Sequence, residues 1–365
     1  MGRLCVMAIN HLELYPEGGT IIKTNPIISV TVPKDKENIS NTCGGTMVNI
    51  SDKIKSKLKH APMCPGVYKM LDSRGNVIYV GKSKLLSKRI KTYFTDNPKW
   101  EKVNKMVPFI DDIEFIVTDT HLEARLLECS MIKSIRPIFN SQMKHDRGYA
   151  YLKLEDYNRY RALSVSDSRE ENTYGPFRRR SYLSEIISAF KNLYPIKKGE
   201  NSYLFEYHLF PITMNELEFN KNRVALKEIL SDVNSADLFV KSLEHKMKNE
   251  SSLNNFEMAL LYRNMMEYAD YLSSSVNKYN ELINNRLLLS IPVREGYKLF
   301  YIYGGKIIKK EIYEELSPLS SDAFCETAIA ASDITPDIDE KSMIDFRDII
   351  YSEILSLTED MVKII

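Results

Sequence analysis

A chain of 365 residues has room for two or three domains at roughly 150 residues each, and 44% hydrophobic with 27% charged residues is the balance of an ordinary globular protein. Fifty Lys and Arg against 49 Asp and Glu exclude a uniformly basic nucleic-acid coat but allow a local basic patch. Fourteen Gly and fourteen Pro exclude collagen-like and low-complexity chains. No apolar run approaches the ~20 residues that span a bilayer, and no long apolar stretch opens the sequence, so the expectation is a cytoplasmic protein without a membrane partner.

Along the chain, residues 1–51 give short apolar doublets (Ile21-Ile22, Ile27-Ile28) that read as strands, then a polar, turn-rich segment over residues 34–45. Ser51-Asp52 can cap a basic helix over residues 53–60, which Pro62 and Pro65 end. Residues 67–70 and 77–80 alternate as two strands around a Ser73-Arg74-Gly75-Asn76 turn. A helix with a basic face is expected over residues 82–94, a third strand over 113–117, and a strongly periodic helix over 121–135, stopped by Pro137. Segments 151–165 and 173–194 suggest a further small domain with a helix over 183–193. Two helical segments follow over 237–273, interrupted at residues 249–252. Residues 297–302 and 306–312 read as a hairpin around Gly304-Gly305. The acidic end is expected to be helical over 346–357, after a loop-like stretch holding Asp333, Asp337 and Asp339.

Two helices carry the chemistry. At about 100° per residue, Lys82, Arg89 and Tyr93 fall within roughly 40° of one another, two cations and a phenol on one stripe, suited to handling phosphate. On the second helix Ala124, Leu127, Met131, Ile132 and Ile135 span an apolar arc, and Glu128 lies inside it. Glu123, Arg125, Lys133 and Arg136 take the opposite arc. A carboxylate on a buried face is costly unless a basic group pairs with it or it coordinates a cation. The five cysteines, Cys5, Cys43, Cys64, Cys129 and Cys325, are scattered without a CxxC pair, so reduced thiols are expected and neither a thiolate zinc site nor an iron–sulfur cluster.

These residues carry a resemblance. Cys64-Pro65-Gly66-Val67-Tyr68, then Val77-Ile78-Tyr79-Val80-Gly81-Lys82, resemble the paired GIY and YIG elements of the GIY-YIG endonucleases. Lys88-Arg89-Ile90-Lys91-Thr92-Tyr93 resembles the family's Arg…Tyr helix. Glu123-Ala124-Arg125-Leu126-Leu127-Glu128 and the later Asn140 resemble its metal helix and terminal Asn. The wording is most similar to the UvrC and Cho excinucleases. Gly175-Pro176-Phe177 resembles the segment after the UvrC nuclease domain, and residues 243–272 resemble the UVR helical hairpin. Residues 297–310 resemble the opening hairpin of UvrC's second nuclease domain. Residues 130–324 lack the cysteine cluster usual in UvrC, so a Cho-like protein with a single nuclease domain is expected.

The resemblance implies an α+β chain: an N-terminal extension (1–51), a GIY-YIG nuclease domain with a small antiparallel sheet flanked by helices (52–148), a middle domain (149–232), a UVR-like hairpin (233–275) and a C-terminal α+β region (285–365). It implies metal-dependent incision of damaged duplex DNA on the 3′ side of a lesion in nucleotide excision repair. Glu128 would hold Mg²⁺ or Mn²⁺, Arg89 would neutralise the scissile phosphate, and Tyr93 and Asn140 would orient the phosphate and metal shell. Tyr68 or Tyr79 would be general base or water-positioner. Lys82, three residues after Tyr79, is expected to lower that phenol: a lysine at ~4 Å at an effective ε near 20 contributes about 4 kcal/mol, some three pKa units. Lys84, Lys88, Lys91, Arg178, Arg179 and Arg180 would contact DNA. Leu243, Met247, Phe256, Ala259 and Arg263 would meet a UvrB-type damage-recognition helicase. The competing readings are a mobile-element or defence nuclease without repair partners, and a catalytically inactive DNA-binding adaptor.

Overall fold

The computed structural model describes residues 51–95, 101–146, 148–332 and 340–365, all within one compact unit running Met47–Ile365. The strands expected near residues 21–28, the polar segment 34–45, and Asp333, Asp337 and Asp339 lie outside the described residues.

Helix α1 (Asp52–Lys59) starts at its expected cap, with Ser51 Oγ accepting the Ile54 N–H at 3.3 Å. Strands β1 (Gly66–Leu71) and β2 (Val77–Ser83) form the expected antiparallel hairpin. The turn is closed by the Asp72 carboxylate, which accepts the backbone N–H groups of Arg74 and Asn76, and by Gly75 at φ +79°, a conformation open to glycine. After α2 (Leu86–Lys91) and α3 (Glu101–Met106), β3 (Asp112–Val117) joins the far side of β1, giving the order β2-β1-β3. Helix α4 (His121–Ile135) opens with a reciprocal capping box between Thr120 and Glu123 and closes at Arg136, φ 53°, just before Pro137.

The helix expected over residues 82–94 is corrected. Strand β2 runs on through Gly81-Lys82-Ser83, which pair with Tyr68, Val67 and Gly66 of β1. Ser83 Oγ then accepts the Leu85 N–H at 2.9 Å and turns the chain into the short α2. Lys82 is therefore a strand residue. The helical stripe expected to join it to Arg89 and Tyr93 does not exist, because cross-strand hydrogen bonds override a weak local helix preference.

The next sheet has β4 (Ala150–Leu154) between β5 (Leu163–Ser166) and β6 (Thr173–Phe177). Then come α5 (Arg180–Phe190), the two-residue ladder of β7 (Lys197–Lys198) and β8 (Tyr203–Leu204), α6 (Glu216–Ser231), and the long antiparallel pair α7 (Val233–Ser252) and α8 (Phe256–Asn277). The break between the last two falls at residues 253–255 rather than 249–252: Asn249 O still accepts the Leu253 N–H at 3.2 Å, and Asn254, at positive φ, reverses the chain. One core joins Leu152, Leu183 and Phe190 of the middle region to Phe239, Leu243, Tyr262 and Leu272 of the helical pair.

The last layer follows α9 (Asn280–Asn284). Strands β9 (Leu287–Val293), β10 (Gly296–Tyr303) and β11 (Lys306–Tyr313) include the expected hairpin. After α10 (Pro318–Ser332) and α11 (Glu340–Ile354), β12 (Val362–Ile364) completes an antiparallel sheet of order β11-β10-β9-β12. This layer packs on α4. Leu122 and Cys129 share a core with Leu289, Phe300, Ile302, Ile349 and Ile350, while Ala124 and Ile132 face Val67 and Val80 of the first sheet. Among the described residues no helix is long and apolar enough to cross a membrane.

Candidate active site

Side chains alternate along paired strands, so Tyr68 and Tyr79 share one face of the β1–β2 hairpin with Met70 and Gly81, and Lys82 shares the other with Val67. Gly81 lies opposite Tyr68 in register, and a Cβ there would land on the Tyr68 hydroxyl. A Cβ on Gly66 would likewise collide with the Ile116 carbonyl of β3. The two motif glycines are required by close approach within the sheet.

Tyr93, in the turn after α2, completes a triangle of phenols with ring centroids 5.8–6.2 Å apart. The Tyr68 and Tyr93 hydroxyls are 2.6 Å apart, and Tyr93 Oη donates to Tyr79 Oη at 3.5 Å. The Arg89 guanidinium lies 5.2 Å from the Tyr93 ring centroid, a cation–π distance. Tyr68 and Tyr93 are buried and Tyr79 only partly so. Burial first, then the neighbouring phenols, hold the Tyr68 and Tyr79 hydroxyls well above their ordinary pKa, with Arg89 opposing.

The expected activation of Tyr79 by Lys82 is therefore corrected. Three positions apart in a strand means opposite faces, and the Lys82 ammonium turns toward α4, 3.3 Å from His121 Nε2. Burial lowers the Lys82 pKa against the pull of Glu128. Burial, and then Lys82 and Arg125, push His121 down to about 4, so its ring is neutral at pH 7 and can accept a hydrogen bond from that ammonium.

Glu128 projects from α4 toward β2, where its Oε1 accepts the backbone N–H of Lys82 at 3.0 Å. No other hydrogen bond or ion pair reaches this carboxylate among the described residues. Burial pushes its pKa up to about 7, against Lys82, Arg125 and Arg89 nearby. A half-buried carboxylate pinned by one oxygen and unpaired at the other is a favourable place for a hard cation. The described residues hold no cluster of three or more His, Cys, Asp or Glu that could share a metal, so such a cation would keep most of its water.

Six expected residues thus gather: Tyr68, Tyr79, Lys82, Arg89, Tyr93 and Glu128. Asn140 is buried beside them and bonds to the β2 backbone. Its Oδ1 accepts the Val80 N–H and its Nδ2 donates to the Val80 carbonyl, both at 2.9 Å, while the Phe139 N–H donates to the Ile78 carbonyl. Residues 139–140 seal the open edge of β2, and these two bonds use one donor and one acceptor position of the Asn140 amide.

Lys84, Lys88 and Lys91 are exposed, as a DNA-contacting surface requires. Arg178 is corrected: its guanidinium is committed to Asp345, Asp348 and the Tyr149 hydroxyl. Arg180 pairs with Asp167, and Arg179 is exposed beside an open cleft also lined by Gly148, Ser181 and Ser184. On the helical pair, Leu243 and Ala259 are withdrawn into the core and Met247 is partly buried, so these face inward rather than toward a partner. Phe256 and Arg263 are exposed, with Leu253 and Leu260 close by in sequence.

Sequence reasoning missed His121, Arg125 and Glu353 around the site. The first two had a signal: His121, Arg125 and Glu128, spaced by four and three residues, fall within about 60° on a helix. Glu353, 228 residues beyond Arg125, had none.

Residues 64–141 match the UvrC-like GIY-YIG domain. UvrABC system protein C of Acetivibrio thermocellus is 29% identical over 326 residues, covering 80% of this chain and 52% of that protein. Its counterpart in Streptococcus agalactiae is 30% identical over 278 residues, covering 72% and 46%. The chain spans about half the length of these relatives. The magnesium-bound GIY-YIG N-terminal endonuclease domain of UvrC from Thermotoga maritima is 40% identical, covering 25% of this chain and all of that one, with a TM-score of 0.24.

Proposed function

Because residues 64–141 belong to the UvrC-like GIY-YIG family, we propose that this chain is an endonuclease that hydrolyses a DNA phosphodiester with Mg²⁺ or Mn²⁺, as the incision step of nucleotide excision repair. One observation carries the reading: Glu128, Arg89 and the Tyr68–Tyr79–Tyr93 triangle converge on the β1–β2 hairpin. Relatives named as components of the UvrABC system support the repair context.

Glu128 is the residue that would hold the cation, aimed by the Lys82 backbone N–H at one of its oxygens. Bound there, the metal would supply Lewis-acid stabilisation of charge on the phosphate oxygens. Arg89, braced on Tyr93, offers a guanidinium fork to the scissile phosphate. Tyr79 is the one phenol of the three that keeps some exposure. Since its proton is retained at neutral pH, it orients water and phosphate by hydrogen bonding, and Tyr68 and Tyr93 hold it in place. Lys84, Lys88 and Lys91 attract the DNA backbone. From residue 82 to 105 the chain carries eight Lys and Arg against two acidic residues, which favours phosphate contact.

In this reading incision falls on the 3′ side of the lesion, and a UvrB-type helicase docks at the exposed end of the α7–α8 pair around Phe256. The single-nuclease, Cho-like form is supported by the lack of cysteine over residues 130–324. The test is a nicking assay on lesion-bearing duplex with Mg²⁺, with and without that helicase. Helicase-dependent cutting beside the lesion is expected. Cutting indifferent to lesion and helicase would favour a stand-alone nuclease, and no cutting with Mg²⁺ or Mn²⁺ would favour an inactive adaptor.

A further inference from the structure

Arg125 stands three residues before Glu128 on α4, close enough to pull on its charge. Neighbours at that helical spacing pair readily when nothing else claims them. Here something does. Arg125 Nη1 donates to Glu353 Oε2 at 3.0 Å, and Nη2 donates to Ser352 Oγ at 2.6 Å. Both partners lie on α11, and Glu353 is 9% exposed. The same Glu353 oxygen is 4.0 Å from His121 Nδ1. Helix α11 is fastened to α4 independently, since Asp345 takes Lys133 at 2.9 Å. The far side of α4 is tied to the last sheet, where Lys298 and Lys310 hold Glu123.

We propose that Glu353, with Ser352, is a positioning residue for the metal carboxylate: it draws the Arg125 guanidinium off Glu128 and so leaves the second Glu128 oxygen open to a divalent cation. This rests on the reading of Glu128 as the metal ligand. Without Glu353, the guanidinium about five-sixths of a turn away is free to join Lys82 in neutralising Glu128, and a metal must displace it. The C-terminal layer thereby decides whether the nuclease helix presents a vacant or a neutralised carboxylate.

The test is direct Mn²⁺ binding to the full chain, followed by the paramagnetic resonance of free Mn²⁺. Glu353→Gln is expected to weaken binding about tenfold or more, the range typical for loss of a group that orients a ligand. Arg125→Gln, and the Arg125→Gln/Glu353→Gln double variant, are expected to bind at least as tightly as the parent, because the competing cation is gone. Unchanged affinity in Glu353→Gln, or a double variant as weak as Glu353→Gln, overturns the proposal and leaves Glu353 with a packing role only. If Glu353→Gln does not fold, as judged by circular dichroism, Ser352→Ala removes only the second anchor and must weaken Mn²⁺ binding in the same direction; unchanged affinity there overturns the proposal too. Glu128→Gln separates the premise: if it binds Mn²⁺ as tightly as the parent, the ligand assignment itself fails, whatever Glu353 does.

Discussion

Replacing Glu128 with Gln should raise the stability of the metal-free chain while abolishing nicking. Burial pushes the Glu128 pKa from the ordinary 4.5 to about 7. A carboxyl whose folded pKa is raised is destabilising when ionised, so the penalty is absent below about pH 4.5, grows through the interval, and is complete above about 7. At about 1.4 kcal/mol per pKa unit, that rise corresponds to about 3 kcal/mol at pH 8. Gln is nearly isosteric, can still accept the Lys82 N–H, and carries no charge to desolvate. Urea unfolding after chelation should therefore find the variant more stable than the parent by up to about 3 kcal/mol at pH 8 and about equal to it at pH 4.5. Added Mn²⁺ should narrow or reverse the gap at pH 8, because ligand binding stabilises only the chain that can bind it. A variant no more stable than the parent at pH 8, or equally shifted at both pH values, would refute the argument that this carboxylate is held at electrostatic cost.

Arg89→Ala should slow nicking by about 10²–10³-fold, as for loss of a donor to developing charge. Arg89→Lys should recover only part of it, because an ammonium lacks both the fork and the flat stack on Tyr93; full recovery in a single-turnover assay would mean that charge alone suffices. Asn140→Ala should cost about 2–4 kcal/mol of stability in urea unfolding, by leaving the Val80 N–H and carbonyl without partners, and its loss of activity should follow the unfolded fraction rather than metal affinity. Phe256→Ala should leave the melting temperature unchanged, since that ring is 65% exposed, yet weaken helicase binding by ~2 kcal/mol if it is an interface anchor; a large melting drop would put it in the core instead.

The first sheet was legible because its signals are local. Alternating strands around a glycine-bearing turn specify a hairpin, and Glu128 stood out as a carboxylate inside an apolar arc. Lys82 was misplaced by a boundary: two residues of strand, Lys82 and Ser83, taken as helix change its direction from the Arg89 stripe to the opposite side of the sheet. Asn140 was legible as a site-region residue but not as an edge seal, because sequence does not reveal which backbone groups a strand edge leaves unpaired. Leu243 and Ala259 lie on helices whose amphipathic pattern announces a buried face without naming what buries it. Here the covering surface is the protein's own middle region.

What the sequence concealed most is that α4 is used on both sides. Its charged arc had the look of a solvated face, yet Glu123, Arg125 and Lys133 are each paired with residues of the last layer. Arg178, from a run of three arginines, meets Asp345 and Asp348 in the same way. Partners 160 to 230 residues away leave no periodic trace, so such charges are indistinguishable from surface ones until the chain folds. The distinction matters energetically. Exposed pairs contribute little, whereas stripping one partner from a largely buried pair strands a charge and costs about 3–5 kcal/mol. Helix α4 therefore cannot shift against the first sheet without disturbing the last one. The carboxylate at the centre of the proposed nuclease site is mounted on the element through which the C-terminal layer can act on it.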